Sequence, residues 1–275
     1  MRASEERVCP VLFSQVAILG MGLMGTSLGM ALRQQGLAQT VVGYDVQPSH
    51  LHMASKQGAL DKVVGTPVEA LADADLVVFA VPPYAIIEQL TCLAPYIPAR
   101  ALVTDLGSVK GAIVQRGEEL LGARFVGGHP MAGGTQSGPQ AAQPDLFREA
   151  AWAIVRSKPF TLKNDPWALR LAAFVEALGA HPLPMEAAQH DHLAALVSHL
   201  PHLLSFAFMK TVEAEPEREL AKQLAGGSFR DLTRIAAADN ALWREIFLQN
   251  REELLQALAA FESQLALLRK EIEQN

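Results

Sequence analysis

Two cysteines in 275 residues are too few for a disulfide framework. Cys9 and Cys92 lie far apart and without the CxxC spacing of a thiolate metal site. A reducing compartment is therefore expected. No run of lysine or arginine marks an electrostatic footprint for phosphate backbones, and the net charge is -6, so nucleic acid is not an expected partner. No stretch of about 18 apolar residues runs uninterrupted, and residues 1–15 carry Glu5 and Glu6 where a signal peptide would be apolar. Neither a membrane span nor secretion is expected, and the chain reads as cytoplasmic. Aromatic residues make up only 6% of the chain, but hydrophobic residues make up 50% and charged ones 19%, a balance that excludes disordered and collagen-like classes.

What is present is alternation. Short β-branched apolar runs recur at residues 16–19, 41–44, 76–81, 101–104, 125–127 and 152–155, with helical stretches between them. That order predicts an α/β fold with a doubly wound parallel sheet. Residues 76–81 are continuously apolar, which predicts a strand covered on both faces and placed centrally. From about residue 185 onward the apolar residues fall at helical spacing, so an all-helical second domain is expected at 185–275 after a first domain at 1–184. Phe247, Leu254, Leu258, Phe261, Leu265, Leu268 and Ile272 follow steps of three and four, broken only at Arg251. Such a seam calls for another helix, supplied either by the same chain or by a second copy in a homodimer.

The first apolar run leads directly into Gly20-Met21-Gly22-Leu23-Met24-Gly25 and then into a helical segment, the order required of a Rossmann-type dinucleotide site. Gly20 permits the tight turn, Gly22 lets the backbone approach a pyrophosphate, and Gly25 allows close helix–strand packing. The free N–H groups of the helix N-terminus favour the phosphates. Asp45 lies twenty positions after Gly25, at the end of the next strand, where a carboxylate accepts hydrogen bonds from a ribose. An ordinary turn or cap role is the competing reading of Asp45. A carboxylate repels a 2'-phosphate and no arginine follows it, so NAD is expected over NADP. Leu23 and Met24 in the turn, and Val81 and Pro82 beyond the strand at 76–81, are the further expected cofactor contacts.

Ligands of an open parallel sheet bind beyond the carboxyl ends of its strands. Ser108 and His129 follow two such ends and are expected to face the nicotinamide together. His129 stands between Gly128 and Pro130, an extended setting that keeps its ring out of a helix. The cluster of His190, Asp191, His192, His199 and His202 invites a metal reading, but Pro201 interrupts the helical face shared by His199 and His202, and no metal is expected.

At residues 22–27 (GLMGTS), 105–110 (DLGSVK) and 127–133 (GGHPMAG) the chain resembles the prephenate/arogenate dehydrogenase family. The similarity continues through SHLPH at 198–202, GSFRDLTRIA at 227–236 and WREIF at 243–247. It implies NAD-dependent oxidative decarboxylation of a cyclohexadienol, prephenate or arogenate, in tyrosine biosynthesis. By the same resemblance His129 accepts the proton of the substrate hydroxyl, and Ser108 shares that hydroxyl and orients the histidine. Arg234 grips a substrate carboxylate, His202 is a polar substrate contact, and Asp191 is a carboxylate that shapes the substrate site. Arg230, one turn before Arg234, reads as a solvated charge. Relatives often place threonine one position earlier than Thr135, which therefore receives no contact. No amino-acid-sensing module is expected beyond Asn275. Two rivals stand beside this reading. One is a β-hydroxyacid or imine-type dehydrogenase with Lys110 as the proton-transfer residue, and the other is a non-catalytic NAD-binding sensor.

Overall fold

The computed structural model describes residues 11–134 and 136–274; Cys9 and Thr135 lie outside the described residues. Five parallel strands, β1 (Phe13–Leu19), β2 (Ala38–Tyr44), β3 (Lys62–Val63), β4 (Leu76–Phe79) and β5 (Leu102–Asp105), form a sheet in the order β3-β2-β1-β4-β5. The helices α1 (Leu23–Gln34), α2 (Pro48–Lys56), α3 (Pro67–Leu71), α4 (Pro83–Leu93) and α5 (Gly111–Leu121) connect or follow these strands. Leu76, Val77, Val78 and Phe79 are fully buried, as the unbroken apolar run requires of a strand covered on both faces. Strand β4 is interior, but the middle of the sheet belongs to β1.

The expected strands near 125 and 152 do not extend this sheet. They appear as β6 (Gly127–Pro130) and β7 (Ala151–Arg156), which join β8 (His181–Glu186) in a separate three-stranded sheet. Strands β6 and β7 are antiparallel, and β7 and β8 are parallel. A single parallel bridge, Val103 to Phe125, links the two sheets. Helix α6 (Pro166–Ala177) connects β7 to β8, with Asp165 capping its N-terminus. Strands β3 and β8 were not foreseen. The first is two residues long, and the second carries Pro182 and Pro184, which are tolerated because β8 is an edge strand.

After β8 the described chain is helical: α7 (Ala187–Ala194), a π turn at Ala195–His199, α8 (Leu200–Ala214), α9 (Arg218–Gln223), α10 (Gly227–Arg234), α11 (Asn240–Gln249) and α12 (Arg251–Gln274). The kink expected at Pro201 takes the form of that π turn, where one extra residue absorbs the backbone bond that proline cannot make. By length and composition the continuous run Ala187–Ala214 is apolar enough to cross a bilayer, which a search for uninterrupted apolar stretches passes over because Asp191 and several histidines punctuate it. Helix α11 returns to the first sheet. Its Ile246 is buried in the core beside α4, and Glu245 accepts a hydrogen bond from the Tyr84 backbone N–H.

The heptad seam divides. Leu254 and Ala257 are buried against Ala195 and Leu200, and Phe247, Leu258 and Phe261 pack around them. Further along α12, Leu265, Leu268 and Ile272 are exposed, Ile272 at 80%.

Candidate active site

The glycine turn is shaped as a dinucleotide cradle. Gly20 has φ of 101°, and a Cβ there would stand 2.5 Å from the Ala80 carbonyl oxygen, so both backbone angle and space exclude a side chain. A Cβ on Gly25 would meet the Gly20 oxygen at 1.9 Å, which is the close helix–strand approach read from the sequence. At Gly22 nothing lies within 4 Å, leaving the backbone open to a phosphate at the start of α1. The residues present therefore fit a dinucleotide.

The Asp45 carboxylate accepts the Met21 N–H at 2.6 Å and the Gln47 N–H at 2.8 Å, and His50 Nδ1 stands 3.4 Å away. Asp45 thus fastens the end of β2 to the glycine turn, while Oδ1, bonded to Gln47 alone, keeps a second lone pair for a ribose hydroxyl. The turn-capping role and the ribose role are compatible.

Two adjoining cavities open beyond the strand ends. One, of about 350 Å³, is lined by Gly22, Leu23, Met24, Val81, Pro82 and Leu242 among others. The second, of about 420 Å³, is lined by Val197, Ser198, Pro201, His202, Arg234 and Ile235. Ser108, His129 and Trp243 line both, so they form the shared wall. The sequence motifs do not single out Trp243 for a role. Its ring stacks on His202 at 3.5 Å between centroids and 18° between planes, which fixes the histidine at the cavity wall. His202 Nδ1 donates to the Ser198 carbonyl at 2.9 Å, and burial lowers its pKa, so the neutral ring offers Nε2 as an acceptor.

Behind His129 lies a chain of buried polar groups. His129 Nδ1 is 2.8 Å from His190 Nε2, and His190 Nδ1 is 2.8 Å from an Asp191 oxygen. Asp191 also accepts the backbone N–H groups of Lys110, at 2.8 Å, and Gly111, at 2.7 Å, and so caps α5 from a different helix. Burial alone would raise the Asp191 pKa, but the hydrogen bonds from His190 and the two amides hold it below the ordinary carboxylate range. Both oxygens are committed to these groups, and Asp191 lines neither cavity, so it stands behind the site and supports it through His190 and the start of α5. The partner of the His129 ring is likewise His190, not Ser108.

Lys110 is fully buried. Its ammonium is bonded to Asp105 and, at 2.9 Å, to the Gly128 carbonyl, and burial lowers its pKa against the pull of Asp105. Asp105 in turn accepts the Gly107 N–H at 2.9 Å and the Gly128 N–H at 3.2 Å, tying the end of β5 to the strand that carries His129. His129 itself is held well below its ordinary pKa, first by burial and then by repulsion from His190, Lys110 and His199. It is therefore a neutral ring near pH 7. His199 is buried, with Nδ1 3.0 Å from the Asn250 amide that also bonds the Asp191 carbonyl, and its pKa falls to about 4. Among the described residues no group of three or more histidine, cysteine or acidic side chains is arranged to hold a metal.

Comparison with known proteins agrees with this geometry. Residues 28–183 match the model of the prephenate dehydrogenase nucleotide-binding domain, and residues 186–275 match that of the prephenate dehydrogenase dimerization domain. The chain belongs to the prephenate dehydrogenase family. Prephenate dehydrogenase of Bacillus subtilis (strain 168) is 31% identical over 94% of this chain and 70% of its own length. Cyclohexadienyl dehydrogenase of Zymomonas mobilis is also 31% identical, over 94% of this chain and 89% of its own. Among solved structures, Aquifex aeolicus prephenate dehydrogenase in complex with hydroxyphenyl propionate and NAD+ superposes with a TM-score of 0.85 at 35% identity, covering 95% of this chain and 91% of that one. Like its relatives, this family member is an oxidoreductase with an NAD-binding domain.

Proposed function

We propose that the chain catalyses NAD-dependent oxidative decarboxylation of prephenate to 4-hydroxyphenylpyruvate in the cytoplasm. The observation that carries this is the shared wall: His129 and Ser108 border both the cavity beside the glycine turn and the cavity that holds Arg234. A proton acceptor at that wall stands between a hydride acceptor and an anion-binding cavity, which is the arrangement a hydroxyl oxidation needs.

Gly20, Gly22 and Gly25 would hold the pyrophosphate with Leu23 and Met24, Asp45 would accept from the adenosine ribose, and Val81 and Pro82 would border the nicotinamide end of the cavity. Bound NAD supplies a hydride acceptor. The substrate's C4 hydrogen leaves as hydride, the hydroxyl proton passes to His129, and the ring carboxylate departs as CO2. The electron pair left behind makes the ring aromatic, and the oxygen recovers its proton. Ser108 donates to the reacting oxygen, Arg234 binds a carboxylate through its guanidinium fork, and the acceptor nitrogen of His202 receives a donor from the substrate. The same reading divides the chain into residues 1–184, which hold the nucleotide, and 185–275, which bind substrate and pair two copies through the exposed end of α12. The Lys110 mechanism of a β-hydroxyacid enzyme finds no support, because Lys110 is enclosed with Asp105 and lines neither cavity.

The test is to incubate the protein with NAD and prephenate, or arogenate, and follow NADH. Turnover of prephenate is expected. Turnover of arogenate with a larger kcat/KM would reassign the substrate, and oxidation of neither would overturn the proposal. His129→Asn is expected to lower kcat by roughly 10²-fold or more with little change in NAD affinity.

A further inference from the structure

The His129–His190–Asp191 chain determines which nitrogen of the catalytic ring is free. The Asp191 carboxylate only accepts, so the proton shared with His190 resides on His190 Nδ1. Burial lowers the pKa of His190, so its ring is neutral and its Nε2 carries a lone pair. Nε2 lies 2.8 Å from His129 Nδ1, and the proton in that contact must then be carried by His129 Nδ1. The remaining His129 nitrogen, Nε2, is left with a lone pair, and His129 borders both cavities.

We propose that His190, anchored by Asp191, is a positioning residue that holds His129 in the Nδ1–H tautomer and so makes Nε2 the nitrogen that receives the substrate proton. The anchor is itself firm, since Asp191 is held by two backbone amides at the start of α5 as well as by His190. No proton needs to travel along the chain. When Nε2 takes the hydroxyl proton, Nδ1–H stays bonded to His190, and the Asp191 carboxylate one ring away favours the positive charge that the Lys110 ammonium resists. Asp105, paired with Lys110, is the other carboxylate of this buried cluster.

The inference rests on the proposed role of His129 as base, but its first test requires no turnover. In wild-type protein with ring-15N-labelled histidine, His129 Nε2 is expected to show the resonance of an unprotonated nitrogen at pH 7.5. A protonated Nε2 there overturns the proposal. His190→Leu, which removes the acceptor, is expected to shift that signal to the protonated type and to lower kcat by roughly 10²-fold, with KM for prephenate and for NAD within about threefold. His190→Gln, whose amide oxygen can accept from Nδ1–H, is expected to recover most of the loss. Equal losses in the two variants, or an unchanged kcat in His190→Leu, would refute the positioning role. If His190→Leu does not fold, the wild-type resonance and the Gln variant still decide. A wild type inert towards both prephenate and arogenate would sink the functional reading alone, because the ring assignment is read without substrate.

Discussion

The two halves of this chain reach stability by different routes. The strands up to β8 and their covering helices enclose two large apolar clusters in which most members are completely buried. The helices after β8 enclose one small cluster, of Ala195, Leu200, Leu254 and Ala257, and leave Leu220, Leu224, Leu265, Leu268 and Ile272 in solvent. A parallel sheet satisfies its backbone and covers both faces within one chain. An amphipathic helix at the edge of a molecule has an apolar face that its own chain does not cover. The half that leaves this face open is also the one that matches a dimerization domain.

The sharpest way to break this comparison is at the buried junction. Lys110→Met leaves Asp105 enclosed without its cation and is expected to cost about 3 to 5 kcal/mol of stability, measured by urea unfolding. A loss below 1 kcal/mol would mean that the junction is not dry.

Acid probes the same junction. His199, at about 4, and His129, held well below 6.5, are both neutral in the fold because burial disfavours their charged forms. Below about pH 6.5 the unfolded chain binds protons that these rings refuse, so stability is full above that pH and lost as it falls toward 4. Over that window the folding equilibrium is expected to weaken about tenfold per pH unit through His199, with His129 adding in the same direction. A urea midpoint constant from pH 7.5 to 5 would contradict the burial. In activity, kcat/KM is expected to keep its plateau through pH 6.5 and to fall only below it.

The exposed half is tested by Leu268→Glu. If the free end of α12 meets a second copy, removing one buried leucine contact is expected to weaken association by about 1.5 to 3 kcal/mol. Sedimentation would show monomer at micromolar concentration, while the isolated copy keeps its NAD affinity. An unaffected dimer would move the interface elsewhere. The smallest effect is expected at Arg234→Ala, which removes an exposed cation from the second cavity. A rise in KM for prephenate of about tenfold with kcat within threefold is expected, on the scale of a charged hydrogen bond.

Much of the site was legible in sequence because its signals are local. The glycine turn needs only neighbouring residues to define its angles, and Ser108 follows the end of β5, whose direction is set by the parallel sheet. His129 was expected just past a strand end and instead lies within β6, paired with Ala153 in the second sheet. The partner of His129 was not legible. His190 lies 61 residues away on a helix, in a cluster that invited a metal reading and gave no sign of a ring partner. Asp191 was expected as a carboxylate that shapes the site, and what the sequence does not show is how: it bonds His190 and caps α5 from behind the cavities. Strand β8 was hidden by its prolines, which a ladder accepts only at an edge, and edge position is a property of the assembled sheet.

Taken alone, the sequence determined the strand–glycine–helix cradle, the acidic residue after β2, the extended setting of His129 between Gly128 and Pro130, and the change from alternating to helical periodicity. Each is written in residues close enough to dictate their own backbone. Only the tertiary structure decided which ring faces Nδ1 of His129, that Lys110 is enclosed with Asp105, and where the α12 seam passes from internal packing to open surface. Those outcomes depend on which distant groups are brought together and dried, and no local pattern encodes that.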